Sequence, residues 1–180
     1  MFRALGIIEF SSIAKGIETA DKMVKKATTE VLLLRHLCPG KFMVILSGDV
    51  EDVKEAVDTA VNGDRNKIIE SAVISNAHEA LILSFKKRLE KCEFESIGIF
   101  ETATVTSALV SLDSALKSAS VILVKLVIGN GIGGKSYFVV NGSVSSVEEA
   151  IKNATNSIHI KKLVHKTIIP SPDQDIINNL

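Results

Sequence analysis

Residues 4–10 read Ala-Leu-Gly-Ile-Ile-Glu-Phe, and residues 96–102 read Ser-Ile-Gly-Ile-Phe-Glu-Thr. Gly6 matches Gly98 and Glu9 matches Glu101, an offset of 92 that Asp21/Asp113, Lys25/Lys117 and Ala27/Ala119 keep. Gly40-Lys41 then matches Gly134-Lys135, Gly48 matches Gly142, Val53 matches Val147 and Ala56 matches Ala150, now at an offset of 94. One two-residue insertion between positions 119 and 134 accounts for the shift. Such self-similarity constrains the fold more than any single motif, because both copies must fold alike. A period this long is no solenoid repeat. Each copy is expected to be a small domain with its own core, the first over 1–90 and the second over 93–180.

Composition agrees with two compact domains. The 180 residues are 46% apolar and 23% charged, which leaves enough apolar surface to bury. Lys+Arg and Asp+Glu are both 21, so no broad basic face is expected for nucleic acid or anionic lipid. With no Trp and one Tyr, base-stacking platforms are scarce. No apolar run reaches the ~18 residues of a membrane span. The N-terminal residues lack a secretory signal, and Cys38 and Cys92 make no disulfide framework. The expectation is a soluble, cytosolic α/β protein without nucleic-acid or membrane partners.

Periodicity gives the order of elements. A short apolar run at 4–9 predicts a strand. Ile13, Ile17, Ala20, Met23, Val24 and Ala27 recur at three- and four-residue steps, which predicts a helix that Ser11-Ser12 can cap. Strands are predicted at 31–34 and 42–46 on either side of a Pro39-Gly40 turn. A helix through Val53, Ala56, Val57 and Ala60 follows, then a strand at 68–74 and a short helix and linker from His78 to Leu89. The second copy repeats the pattern: strand 96–101, helix 105–118, strand 121–128, glycine-rich turn, strand 137–141, helix 145–157, strand 163–169. Each unit is β-α-β-β-α-β, the ferredoxin-like order of an α+β fold.

Residues 129–136, Gly-Asn-Gly-Ile-Gly-Gly-Lys-Ser, satisfy the phosphate-loop pattern G-x-x-x-x-G-K-[ST]. That motif works only where a helix opens directly after the glycines, because the helix N-terminus holds the phosphate. Here Tyr137-Phe138-Val139-Val140 reads as a strand, and only 44 residues remain for the rest of a nucleotide-binding sheet. The preferred reading is a strand-to-strand loop.

The paired segments resemble the bacterial microcompartment shell protein family. The residues that carry the resemblance are Gly6-Ile7-Ile8-Glu9, Ala20 to Lys25 with Ala27, and Ser47-Gly48-Asp49-Val50. In the second copy they are Gly98-Ile99-Phe100-Glu101, Asp113 to Lys117 and Gly142-Ser143-Val144. The resemblance implies two tandem shell domains and a pseudohexameric homotrimer that tiles a shell in the cytoplasm with other shell proteins. It implies a central pore lined by the loop after each second strand, here Leu37, Cys38, Pro39 and Gly40 with Gly131, Ile132, Gly133 and Gly134. It also places Lys25 and Lys117 at tile edges. The copies begin with the usual first strand, so permuted tandem members fit less well. The pair Cys38-Pro39-Gly40-Lys41-Phe42 and Gly131 to Lys135 is similar to a propanediol-utilization subgroup that carries an iron–sulfur cluster at the pore.

The resemblance makes Cys38 the metal ligand. One thiolate per chain is a poor site, but three chains on a threefold axis bring three. A 4Fe-4S cube has threefold axes, so three irons can each take a Cys38 and the fourth a non-protein ligand. Lys41 is close in sequence and could favour the thiolate. Zinc held by three sulfurs is the other chemistry open to such a site. Cys92 reads as an incidental thiol. His36 precedes the loop, while His78, His159 and His165 show no ligand spacing. Glu9 and Glu101 report the repeat rather than an acid/base pair, and no nucleophile–base set stands out. The expected function is therefore a non-enzymatic shell tile that passes electrons across the shell through one cluster per trimer, with an encapsulated redox enzyme as a partner. The alternatives are a metal-free tile with a small-molecule pore and a nucleotide-binding enzyme.

Overall fold

A computed structural model describes residues 4–85 and 93–180. The chain divides into two compact units. The first runs to Glu79 and also takes in Gly129–Gly134; the second comprises Ala80–Ile128 and Lys135–Leu180. The boundary expected at 91–92 lies outside the described residues.

In the first unit the order is β1 (Ala4–Phe10), α1 (Ile13–Lys26), β2 (Thr29–Leu37), β3 (Lys41–Gly48), α2 (Val50–Asp64) and, after a 3-10 turn, β4 (Ile68–Ile74). Helix α3 (Glu79–Phe85) follows. The second unit repeats this as β5 (Ser96–Thr102), α4 (Val105–Ser118), β6 (Ile122–Ile128), β7 (Ser136–Gly142), α5 (Val144–Asn156) and β8 (Leu163–Pro170), closed by α6 (Gln174–Asn179). The sheets have strand orders β2-β3-β1-β4 and β6-β7-β5-β8. All neighbouring strands are antiparallel. This is the ferredoxin-like arrangement in each unit.

Local chemistry explains the elements. Ser12 caps α1 by accepting from Lys15 N at 3.4 Å, and Ser143 caps α5 by accepting from Ser146 N at 3.2 Å. Strand β1 is buried along its whole length, as a central strand should be. Ile8, Phe10, Val44 and Leu46 of the sheet pack with Ala20, Met23, Ala56, Val57 and Ala60 of the helices. Gly6 lets α2 lie close: a Cβ there would stand 2.9 Å from Val57 Cγ2. Gly98 plays the same part under α5, with 2.7 Å to Val147 Cγ1. The repeated glycine therefore reports close helix–sheet packing.

One strand is longer than expected. Strand β2 spans nine residues rather than 31–34. It is an edge strand, so Glu30 and His36 face solvent and break the apolar run that marks a buried strand. After β8 the chain forms α6, which has no buried residue and which Asp173 caps by accepting from Asp175 N at 2.8 Å.

Candidate functional site

The β2–β3 connection is a tight turn. Leu37 ends β2 with its side chain buried (1% exposed). Gly40 N donates to Leu37 O at 2.9 Å, and Gly40 takes a φ of +101°, where glycine has no steric penalty. The Cys38–Pro39 peptide is cis. Cys38 is a free, half-buried thiol, and Pro39 and Gly40 beside it are exposed.

The segment from Gly129 to Gly134, which follows β6, is pinned onto this turn at both of its ends. Cys38 N donates to Gly129 O at 3.3 Å. A Cβ on Gly129 would meet Leu37 Cδ2 at 2.4 Å, and a Cβ on Gly134 would meet Cys38 O at 2.3 Å. Gly134 also has a φ of +80°. It is required twice over, for its backbone conformation and for the approach of the Cys38 carbonyl. Between these anchors Gly131 and Gly133 are exposed with no atom near a notional Cβ, and Ile132 is half-buried. Of the residues expected to line a pore, Pro39, Gly40, Gly131 and Gly133 present open surface. Leu37 and Gly134 are buried and support the turn from within. Their packing partners are some ninety positions away in sequence, so no local signal announces them.

The lysines after each turn have a shared task. Lys41 Nζ lies 3.8 Å from Oε2 of the fully buried Glu9, and Lys135 Nζ donates to Glu101 Oε1 at 3.0 Å. The repeat keeps the β1–β3 ion pair as one between β5 and Lys135, the residue just before β7. Lys135 follows a loop that joins two antiparallel strands, Ile128 facing Ser136. No helix opens after the glycines, so the phosphate-loop geometry is not formed.

Lys25 and Lys117, the lysines expected at tile edges, also make corresponding pairs in the two copies. Lys25 Nζ donates to Asp21 Oδ2 at 2.6 Å on the exposed side of α1, and Lys117 pairs with the buried Asp113 on α4. His36 and His165 are exposed strand residues. His159 caps a turn, its Nδ1 accepting from Lys161 N at 3.2 Å. Cys92 lies outside the described residues. Among the described residues no three His, Cys, Asp or Glu side chains gather to hold a metal.

One polar cluster gave no signal in the sequence. Asp64, at the end of α2, is buried. Its Oδ2 accepts from Thr19 Oγ1 at 2.7 Å and its Oδ1 lies 2.9 Å from Lys15 Nζ. The Thr19 hydroxyl, then Lys15, hold its carboxyl below the usual carboxylate range. The cluster ties α1 to α2 in the first unit. Ser107 and Ser111 stand in place of Lys15 and Thr19 in the second.

Comparison with known proteins gives consistent matches. The BMC domain family matches residues 4–77 and 96–172. Bacterial microcompartment shell protein PduT of Citrobacter freundii is 36% identical over 177 residues, covering 98% of this chain and 96% of the relative. The crystal structure of a microcompartment protein from Desulfitobacterium hafniense superposes with a TM-score of 0.88 at 32% identity, over 100% of both chains. A fused permuted hexameric shell protein from the RMM microcompartment shares the fold at 20% identity, with a TM-score of 0.65 over 85% of this chain and 82% of that one.

Proposed function

Because this chain belongs to the BMC domain family, it is a structural protein of a microcompartment shell, and we propose that it works there as a trimeric tile holding one 4Fe-4S cluster on its threefold axis. It is a tile and not an enzyme, as its relatives are named shell proteins. It sits in the shell within the bacterial cytoplasm, beside other shell proteins, with an encapsulated redox enzyme as its electron partner.

The observation that carries the cluster reading is the state of Cys38. It is a free and half-buried thiol on a turn fixed by Gly129 and Gly134. A soft thiolate suits iron–sulfur ligation in kind. In number it falls short within one chain, since no three His, Cys, Asp or Glu side chains gather among the described residues. Three copies of Cys38 make up the set. When bound, such a cluster supplies one-electron transfer. The chain's own residues do the rest: Pro39 and Gly40 keep the turn tight, and Gly134 lets the second loop lie against the Cys38 carbonyl.

The test is anaerobic reconstitution with iron and sulfide. The protein should turn brown, contain about four irons per three chains by the stoichiometry of one cube per trimer, bleach with dithionite and give an EPR signal. A Cys38→Ser variant that keeps the colour removes Cys38 from the role. A trimer that takes up no iron is the metal-free tile with a small-molecule pore.

A further inference from the structure

Three Asn-Gly pairs occur in the chain: Asn62-Gly63, Asn130-Gly131 and Asn141-Gly142. In such a pair the backbone nitrogen of the glycine can attack the asparagine side chain, because no Cβ shields it. The fold decides whether attack occurs. The nitrogen must be free of hydrogen bonds, the carboxamide must be unheld, and the torsions between them must be able to turn.

Two of the pairs are protected. Asn62 and Gly63 are exposed, yet both lie inside α2. An α-helix commits the Gly63 N–H to the carbonyl four residues back and fixes the Asn62 torsions. Asn141 lies on β7 and is 4% exposed. Its Nδ2 donates to Glu93 O at 2.8 Å and its Oδ1 accepts from Glu95 N at 3.1 Å. A carboxamide held at both ends does not swing toward Gly142.

The third pair has none of this protection. Asn130 and Gly131 are exposed and lie outside helix and strand, between the anchors Gly129 and Gly134. Among the described residues neither the Asn130 side chain nor the Gly131 N–H makes a hydrogen bond. Nothing stands within 4 Å of where a Gly131 Cβ would be. Electrophile and nucleophile both face water with room to meet. From Ile128 to Gly134 no side chain carries a charge, so a single new one changes the character of the whole loop.

We propose that Asn130 is a self-modifying site that turns the neutral rim of this loop anionic as the protein ages. Solvent base takes the Gly131 N–H proton as the nitrogen attacks Asn130 Cγ. The new N–Cγ bond closes a succinimide ring, the Cγ–Nδ2 bond breaks, and the nitrogen leaves as ammonia with a proton from solvent. Water then adds to one of the two ring carbonyls. Opening at Cγ gives aspartate, and opening at the backbone carbonyl gives isoaspartate, whose main chain runs through Cβ and Cγ. The only co-reactant is water, and no electrons change hands. Each chain, formally neutral at the start, gains one negative charge. The charge appears beside Gly129, whose carbonyl accepts from Cys38 N. The reaction needs neither a cluster nor a second copy of the chain.

The test ages the purified full chain at neutral and at mildly alkaline pH and digests samples with trypsin. Cleavage after Lys and Arg puts each pair on its own peptide, residues 55–65, 126–135 and 136–152. A digest taken at time zero subtracts what digestion itself adds. Mass spectrometry should show amide-to-acid conversion in 126–135 running several-fold faster than in the other two peptides, and faster still at the higher pH. In denaturant the three peptides should convert at similar rates, because the fold no longer shields two of them. Isoelectric focusing of the aged parent should resolve a new acidic band. Asn130→Gln, whose longer side chain closes its ring slowly, should not gain that band. The proposal is overturned if folded 126–135 converts no faster than 55–65 or 136–152, if its lead is the same in denaturant, or if Asn130→Gln gains the acidic band at the parent's rate.

Discussion

Replacing Gly134 by alanine tests whether the second loop is seated on the Cys38 turn, and the same loop supplies its control. Gly131 and Gly134 both have positive φ, +75° and +80°. Alanine at either site loses about 1–2 kcal/mol to the left-handed conformation. At either site it also gains about 0.4–1 kcal/mol by restricting the unfolded chain. These effects cancel between the two variants. What does not cancel is the contact. At Gly131 the new methyl meets nothing within 4 Å, whereas at Gly134 it would stand 2.3 Å from Cys38 O. Carbon–oxygen contacts settle near ~3.3 Å, so loop or turn must move by roughly 1 Å. Overpacking of that kind costs about 1–3 kcal/mol. For a chain of this length 1 kcal/mol moves the thermal midpoint by about 2–4 °C. Gly134→Ala should therefore melt roughly 3–10 °C below Gly131→Ala. Calorimetry on both variants, at one protein concentration because assembly links stability to it, gives the number. Equal midpoints would refute the seating of the loop on the turn.

Further outcomes follow from other sites. Asp64→Ala leaves Thr19 and Lys15 without their buried acceptor and should cost about 1–3 kcal/mol at pH 7. The Asp64 carboxyl is held below its ordinary value in the folded chain, so its contribution is full above the unfolded carboxylate range and fades as pH falls through the folded value. Denaturant midpoints of the parent and Asp64→Ala should thus converge toward acid pH, and a gap that widens there contradicts the assignment. Gly98→Ala puts a methyl 2.7 Å from Val147 Cγ1 and should destabilise by about 1–3 kcal/mol. Val147→Ala in that background should cost less than Val147→Ala alone, and additive effects would argue against the close packing of α5 on β5. Lys135→Ala removes a largely exposed ion pair and should change stability by less than about 1 kcal/mol. Isothermal titration of the unaltered chain with magnesium and ATP should show no heat of binding, and binding lost in Lys135→Ala would restore the nucleotide reading.

The repeat made much of the fold legible. Gly6/Gly98 and Glu9/Glu101 mark corresponding central strands, and the apolar steps of Ile13 to Ala27 mark a helix. Edges were harder. Polar residues from Thr29 to His36 hide a nine-residue strand, because an edge strand wets one rim and needs no unbroken apolar run. The turn at Cys38 was legible from Pro39-Gly40 and from the family resemblance. Its support was not. Gly129 and Gly134 act through the side chain they lack, on residues far away in sequence, and periodicity carries no trace of such a contact. Asp64 was hidden for a related reason: a carboxylate after Gly63 looks like any helix end until Thr19 and Lys15 are brought to it. A ligand set assembled from several copies has no spacing within one polypeptide to detect.

The membership of Gly129–Gly134 in the first unit has a consequence for cutting the chain. A stretch of the second repeat completes the compact body of the first. Separating the repeats between Phe85 and Glu93 would leave a first fragment without the loop that seats its Cys38 turn, and a second fragment bearing that loop with no turn to rest on. Tandem sequence repeats are therefore not interchangeable pieces here: the first copy is finished by a segment that the second supplies.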